Sequence, residues 1–596
     1  MATVQASASD RDLASVAEAR ALARRAAAAQ AILGELSQSA IDAIVDAMAA
    51  AVRPHAEALA ALAVEETGFG VVADKVRKNR FASDRVHAFI RPMKTVGVIA
   101  RHDDRRVIEI AEPFGVVAAV IPSTNPTSTA IYKILIALKA RCAIVISPHP
   151  SAIRCITRVA EIMKAAARQA GAPEGAIGWM TTVTLEGTQE LMKHRDVAVI
   201  LATGGMGLVR AAYSAGKPAY GVGPGNAPCY IESSADLDKA ARDILAGKCF
   251  DNGVLCSSPN SVVVDAAVAD DAARLFEAHG AHFLSPADAD AVARVLVTPQ
   301  RLPNPELVGK PATFIAGRAG ISVPPGTRAL IARLEGVGRD YPLSIEKLSP
   351  VLSWYVVRDW KEGCERCKQI LRYGGMGHTM SIHSRNEDVI LEFGLRKPAF
   401  RICVNTPTTH GSIGLTTGLD PAMTLGCGGF GGNITSDNIS PRHLLNIKRL
   451  AYELQPADAT PATAERAGAA ATSRPQLPQV PPAPPEGISR TTLAERIDQY
   501  LRSRGFTPPS PRPAVPPASR PMAAPASAPA ASRPTPAPSP APAPAEQPLA
   551  FLCEDDVRQA LREGRTLLVS ERTIITPAAR DLAEAHKLLR YVGVRP

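Results

Sequence analysis

No stretch of this chain is apolar and uncharged for long enough to span a bilayer. The longest candidate, around Pro113 to Tyr132, is interrupted by Pro122, Pro126 and several Ser, Thr and Asn side chains that hydrocarbon would penalise, so no membrane-spanning segment is expected. No polybasic block is present either. The formal net charge of +10 is spread over 596 residues, and a nucleic-acid partner is not implied. The ten cysteines lack the spacing of a small disulfide scaffold and read as reduced thiols of a cytoplasmic protein. The amino terminus is rich in Ala, Ser and Arg, as a transit peptide would be. It nevertheless carries Asp10, Asp12 and Glu18 and has no signal-type apolar run, so it reads as a first amphipathic helix.

What the chain has in excess is proline, 51 residues, too many for one compact fold. The excess lies after residue 454. Residues 455–488 and 507–548 read as extended Pro/Ala-rich linkers, the second holding 16 prolines among 42 positions. Between them, residues 489–506 form an island in which Leu493, Ile497, Tyr500 and Leu501 share one helical face. Thr492 and Glu495 make a capping box and Gly505 a stop. A helix this short is marginal alone in water, so its apolar stripe either docks on a partner or folds back on the body of the chain. Residues 549–596 read as a small module: helix Glu554 to Glu563, a stop at Gly564, a strand from Thr566 to Ser570, and a last helix opening at Thr576 and Pro577.

The first 454 residues alternate β-branched runs with helical patterns. Val116 to Ile121, Ala143 to Ser147, Val197 to Ala202, Ser261 to Val264, Leu352 to Val357 and Arg401 to Val404 are the strand candidates; Ala130 to Lys139 and a segment reaching about Ala170 are helical. Strands separated by helices of this length argue for right-handed crossovers and a mostly parallel sheet. The expected class is α/β, in two lobes.

One cysteine stands apart from the other nine. In Phe250-Asp251-Asn252-Gly253-Val254-Leu255-Cys256-Ser257-Ser258 it sits in a loop of small and polar residues just before a strand candidate. A thiolate adds readily to an aldehyde carbonyl and leaves well later, although a cysteine alone is more often inert core than nucleophile. Competing features read as structural. Cys364-x-x-Cys367 lies within a helical pattern, has no second pair at zinc-ribbon spacing, and implies no metal. The glycine-rich Gly426 to Gly432 lacks the Lys-Ser/Thr ending of a phosphate loop and reads as backbone close to the active-site mouth or as a hinge. His378 and His383 read as hydrogen-bonded structural residues with an active-site role left open.

Six runs occur in an order that resembles the aldehyde dehydrogenase superfamily, most of all its CoA-acylating branch of acetaldehyde and propionaldehyde dehydrogenases. They are Pro122-Ser123-Thr124-Asn125-Pro126-Thr127, Ser147-Pro148-His149-Pro150, Ala202-Thr203-Gly204-Gly205, Gly221-Val222-Gly223-Pro224-Gly225-Asn226, the Cys256 loop, and Glu346-Lys347-Leu348-Ser349-Pro350-Val351. The resemblance covers residues 10 to 454. It implies a two-lobe fold with a Rossmann-like NAD-binding lobe (residues 1–230 with part of 425–454), a catalytic lobe (231–424) and an oligomerisation and return segment (425–454), in a homodimer or homotetramer.

Carried over residue by residue, the resemblance makes Cys256 the nucleophile and Asn125 its oxyanion donor. Ser147, Pro148, His149, Thr203, Gly204, Gly205, Gly223 and Glu346 become contacts of NAD, with coenzyme A as co-substrate and a short-chain aldehyde, propionaldehyde or acetaldehyde, as substrate. Hydrolytic relatives begin the segment matching Gly221 with a general-base glutamate. Glycine cannot take a proton from water, whereas a thiol ionises far more readily, so acyl transfer to CoA is favoured and room for a pantetheine arm is expected there. The 489–506 island resembles encapsulation peptides, which implies residence in a bacterial microcompartment with a shell protein or other cargo bound through Leu493, Ile497, Tyr500 and Leu501. The alternatives are a hydrolytic aldehyde dehydrogenase and a scaffold with a degenerate dehydrogenase body.

Overall fold

A computed structural model describes residues 8–455, Gln499 and most of 549–591. Apart from Gln499 and Gln455, the 489–506 island and both linkers lie outside the described residues. The chain divides into two units, Met1–Ala483 and Pro484–Pro596.

In the first unit, helix Ala8–Gly34 opens the fold and buries a stripe of Ala19, Leu22, Ala23, Ala26, Ala29 and Leu33, spaced three and four apart. Strands β1 (Gly97–His102) and β2 (Val107–Pro113) pair antiparallel. Five strands follow: β3 (Val116–Ile121), β4 (Ile144–Pro148), β5 (Ile177–Trp179), β6 (Val197–Thr203) and β7 (Ala219–Val222). They form an all-parallel sheet in the order β5-β4-β3-β6-β7. The chain thus runs outward from β3 through β4 to β5, then returns to the other side of β3. That reversal is a topological switch point, and the carboxyl ends of β3 and β6 are where an open α/β sheet leaves a crevice.

Because both faces of this sheet are covered, β3 is buried along its whole length. Helix Pro126–Lys139, which follows β3, is buried at every one of its 14 positions. Its Lys133 ammonium donates to the Val120 and Leu201 carbonyls at 2.8 and 2.9 Å, tying the ends of β3 and β6 together beside the crevice. Burial pushes this lysine down to about 7.

The chain crosses into a second sheet between Val222 and Ala227, a few residues before the boundary read at 230. The second sheet holds β8 (Ala227–Ile231), β9 (Pro259–Asp265), β10 (Ala281–Phe283), β11 (Ala329–Arg333), β12 (Val351–Val357), β13 (Gly377–His383) and β14 (Ala399–Val404). It too is parallel, in the order β10-β11-β12-β9-β8-β13-β14. The return to the first core begins at Ile413, which packs there with Ala422, Leu425, Ile439 and Leu444, ahead of the segment read as starting at 425. β15 (Leu445–Ala451) then lies antiparallel along β2, completing a three-stranded sheet.

In the second unit, β16 (Leu549–Leu552), helix Glu554–Glu563, β17 (Leu567–Ile575) and β18 (Leu589–Tyr591) make a small α/β module with three parallel strands. Gly564 ends the helix at φ 63°, as its position after Glu563 requires. The strand runs to Ile575, well past the Ser570 expected. Among the described residues no helix is long and apolar enough to cross a membrane.

Candidate active site

At the switch point lies a cavity of about 470 Å³, and all ten residues singled out from the sequence line it: Asn125, Ser147, Pro148, His149, Thr203, Gly204, Gly205, Gly223, Cys256 and Glu346. They come from the ends of β3, β4, β6 and β7 on one side and from the loops before β9 and β12 on the other. Cys256 is the only cysteine in the lining and Glu346 the only carboxylate.

Each side chain is positioned by local chemistry. Asn125 ends the β3 segment and is the residue before helix Pro126–Lys139, where Pro126 fills the first turn at no hydrogen-bonding cost. Its Oδ1 accepts from Lys78 Nζ at 2.6 Å and its Nδ2 donates to Thr124 Oγ1 at 3.1 Å. Cys256 follows a loop in which Asp251, Asn252 and Gly253 all have positive φ, 51°, 53° and 74°. This is a rare run for residues with side chains. Asp251 is held in it by Val71 N–H, Lys75 and Lys78 on its carboxylate and by its own N–H donating to Asp74. Burial, and next the negative charge of Glu346, push the Cys256 thiol up to about 12, so it rests protonated.

Glu346 Oε1 accepts from the Gly225 N–H at 3.0 Å. Burial pushes its carboxyl up to about 8, against the Gly225 N–H and the cations of Lys248 and Lys347. The folded chain therefore holds this proton to higher pH than the unfolded chain, whose glutamate titrates near 4.5. Folding binds a proton across that window, and this group's contribution to stability is lost as pH rises from about 4.5 to about 8. Glu346→Gln is expected to flatten that part of the stability profile and raise the unfolding midpoint at its alkaline end by several degrees. Thermal unfolding of both proteins from about pH 5 to about pH 9 checks it; parallel profiles would refute the assignment.

The residues that fit a dinucleotide show it in three ways. The Thr203-Gly204-Gly205 turn runs from β6 into helix Met206–Tyr213 at the switch point. A Cβ on Gly205 would meet nothing within 4 Å, so backbone is presented to open space. The Thr203 hydroxyl is buried without a partner. Ser147 is locked by Thr188 Oγ1 at 2.8 Å, and His149 caps the turn after β4 by accepting from the Ser151 N–H.

Two expectations change. Gly221 does not line the cavity: a Cβ there would lie 2.8 Å from Val209 Cγ1 and 3.1 Å from the Tyr213 ring carbon and hydroxyl. Tyr213 OH donates to the Gly221 carbonyl and accepts from its N–H. The space opened by losing a side chain at this position is thus filled by tyrosine, and it is not a channel for a pantetheine arm. The Gly426–Gly432 run likewise stays out of the cavity lining, packing against Met376 and Gly377. His378 is fully buried and hydrogen-bonded, and it does not line the cavity. Its Nδ1 pairs with Thr379 Oγ1, but its Nε2 is buried without a partner, and burial pushes the ring down to about 3. A Cβ on Gly225 would meet both the His378 ring and the Cys256 carbonyl, so the imidazole lies close behind the nucleophile loop.

Sequence reasoning missed Lys75, Lys78 and the side-chain role of Asp251. Nothing in the spacing of Val72-Ala73-Asp74-Lys75-Val76-Arg77-Lys78 signals that its two lysines turn inward. Cys364 and Cys367 are buried in helix Trp360–Tyr373, where Lys397 Nζ donates to Cys364 Sγ at 2.5 Å. Among the described residues no cluster of three or more His, Cys, Asp or Glu side chains could hold a metal.

The aldehyde dehydrogenase family profile matches residues 3–289. The bifunctional aldehyde-alcohol dehydrogenase of Escherichia coli (strain K12) is 42% identical over 441 residues, covering 73% of this chain and 49% of that protein. The chain therefore spans about half the length of such relatives. Among solved structures, an acetylating aldehyde dehydrogenase from Geobacillus thermoglucosidasius matches with TM-score 0.74 and 49% identity over 75% of this chain and 99% of that one. A propionaldehyde dehydrogenase from the Clostridium phytofermentans fucose utilisation bacterial microcompartment matches with TM-score 0.65 and 28% identity over 73% of this chain and 98% of that one.

Proposed function

The chain belongs to the aldehyde dehydrogenase family, and we propose that it oxidises a short-chain aldehyde with NAD and coenzyme A to an acyl-CoA. The observation that carries this is the lining of one switch-point cavity by the Cys256 thiol, the Asn125 amide and a glycine-rich turn, with no carboxylate but Glu346.

In this reading Cys256 gives its thiol proton to water and its Sγ adds to the aldehyde carbon, forming a thiohemiacetal oxyanion. The Asn125 Nδ2 and the Cys256 backbone N–H receive the oxyanion, donors of a kind worth about 3 kcal/mol each. Thr203, Gly204, Gly205 and Gly223 would hold NAD at its phosphates, the Ser147-Pro148-His149 turn at its adenosine end and Glu346 at its nicotinamide ribose, and NAD so held would supply the hydride acceptor. Cys256 is left as a thioester. The CoA thiol attacks that thioester carbon, and its proton passes to Cys256 Sγ as that sulfur leaves. Release of a free acid is disfavoured because the position that carries the water-activating glutamate in hydrolytic relatives is Gly221.

The test is NADH formation from propionaldehyde with and without CoA, repeated with NADP. Turnover that needs CoA is expected. CoA-independent turnover would select the hydrolytic reading, and no turnover with any aldehyde of two to four carbons would select the scaffold.

We further propose residence in a bacterial microcompartment, with 489–506 as the address and a shell protein or other cargo as partner of Leu493, Ile497, Tyr500 and Leu501. Support comes from the amphipathic pattern between two linkers and from the origin of the Clostridium phytofermentans relative. Deletion of residues 489–506 should leave CoA-dependent turnover intact and abolish co-purification with shells; unchanged encapsulation would refute it.

A further inference from the structure

Helix Val72–Arg80 runs behind the cavity wall and sends two ammonium groups inward. Lys75 and Lys78 are only 1% and 2% exposed, and Asp251, which receives both, is not exposed at all. Lys75 Nζ donates to Asp251 Oδ2 and to the Thr124 carbonyl, each at 3.0 Å. Lys78 Nζ donates to the same carboxylate oxygen and to Asn125 Oδ1 at 2.6 Å. The Asp251 Oδ1 accepts from the Val71 N–H at 2.7 Å, and the Asp251 N–H donates to Asp74 Oδ2 at 2.8 Å. One helix thus grips, at once, the residue proposed to receive the oxyanion and the loop that ends on the nucleophile.

The chemistry of the Lys78–Asn125 contact has a direction. An ammonium only donates, so the end of the Asn125 amide that faces Lys78 must be its oxygen, and the nitrogen is turned the other way. One Nδ2 hydrogen goes to Thr124 Oγ1, which leaves the second for the cavity that Asn125 lines. Without Lys78 the amide could rotate half a turn and set its carbonyl oxygen against the developing negative charge, exchanging attraction for repulsion.

We propose that Lys78 is a positioning residue that fixes which end of the Asn125 amide meets the substrate oxygen and, through Asp251, couples that donor to the loop carrying Cys256. The inference rests on the reading of Asn125 given above. Two buried lysines share the one Asp251 carboxylate, with Asp74 as the second negative charge acting on Lys78. Burial pushes Lys78 down to about 8 despite the Asp251 charge. A site kept under that desolvation penalty for packing alone would be better served by an apolar side chain of the same length.

Steady-state kinetics on the full chain test the assignment, with Lys78→Met, Lys78→Arg, Asn125→Ala and the Lys78→Met/Asn125→Ala pair. Asn125→Ala is expected to lower kcat about 100- to 1000-fold, as loss of an oxyanion donor does. Lys78→Met is expected to lower kcat at least about tenfold, with KM for NAD within about twofold of the parent; Lys78→Arg should recover part of the loss. The double variant should be no slower than Asn125→Ala alone, because Lys78 acts through that amide. A double variant slower by the product of the two single effects would overturn the inference while leaving Asn125 as the oxyanion donor. Parental kcat in Asn125→Ala would overturn the oxyanion reading itself and the inference with it. Should Lys78→Met not fold, Lys78→Arg in the Asn125→Ala background gives the same two outcomes.

Discussion

Replacing Cys256 by alanine should abolish CoA-dependent NADH formation, by at least about a thousandfold, with little change in unfolding temperature. No other thiol lines the cavity, so none can substitute. The remaining free cysteines sit elsewhere in the fold, most of them buried. Because burial holds the Cys256 thiol protonated, with its titration pushed up to about 12, the parent's rate should climb with pH through the neutral range. Mixing the parent with aldehyde and NAD in the absence of CoA should leave one acyl group on the intact protein, located at Cys256 by peptide mass spectrometry. A Cys256→Ala protein that reduces NAD at the parental rate, or a trapped parent without an adduct at that residue, would end the covalent reading.

The second large effect belongs to a residue with no side chain. A methyl group on Gly225 would sit 2.0 Å from the Cys256 carbonyl oxygen, 3.1 Å from its carbon and 3.3 Å from the His378 ring. Two of these neighbours are backbone and cannot swing aside. The Gly225 N–H also donates to Glu346, so the same glycine touches the nucleophile loop, the imidazole behind it and the carboxylate across the cavity. Gly225→Ala must push these groups apart. Overpacking of this kind costs about 1–3 kcal/mol or more, and displacing reacting groups by about 1 Å can cost a hundredfold in rate. We expect a loss of kcat of at least about a hundredfold together with a lower unfolding midpoint. Gly207→Ala is the control for stability: its Cβ would meet nothing within 4 Å. Equal unfolding midpoints and rates for Gly225→Ala and the parent would show that the loop yields, against the close packing described.

Much of this was legible in the residues. β-branched runs found β3 from Val116 to Ile121 without error, and found β4, β6, β9 and β12 within a few positions, because strands buried on both faces read as continuous apolar runs; β14, an edge strand whose burial alternates, was found only from Arg401. Glycine turns and the cysteine loop carried enough motif to gather ten residues that the fold places around one cavity. What failed to show was direction. Sequence gives Gly221 as a missing side chain but not which way that side chain would have pointed, and the strand turns it toward Val209 and Tyr213. Lys75 and Lys78 are ordinary surface residues by type, and only the tertiary placement of Asp251 at a left-handed φ gives them a reason to be buried. The reach of β17 to Ile575 was hidden by Ser570-Glu571-Arg572-Thr573, polar residues that read as the end of a strand.

The hydroxyl of Tyr213, closed onto both backbone groups of Gly221, bears on how this scaffold could change its acyl acceptor over evolutionary time. A carboxylate cannot simply be grafted at position 221, because an aromatic ring already stands in its way and is bonded to the strand beneath. Adopting water as the acceptor is a double step whose first half, in either order, disrupts a packed contact before it offers any new chemistry. On the proposed reading, preference for CoA over water would be guarded by this packed contact as well as by what the glycine lacks.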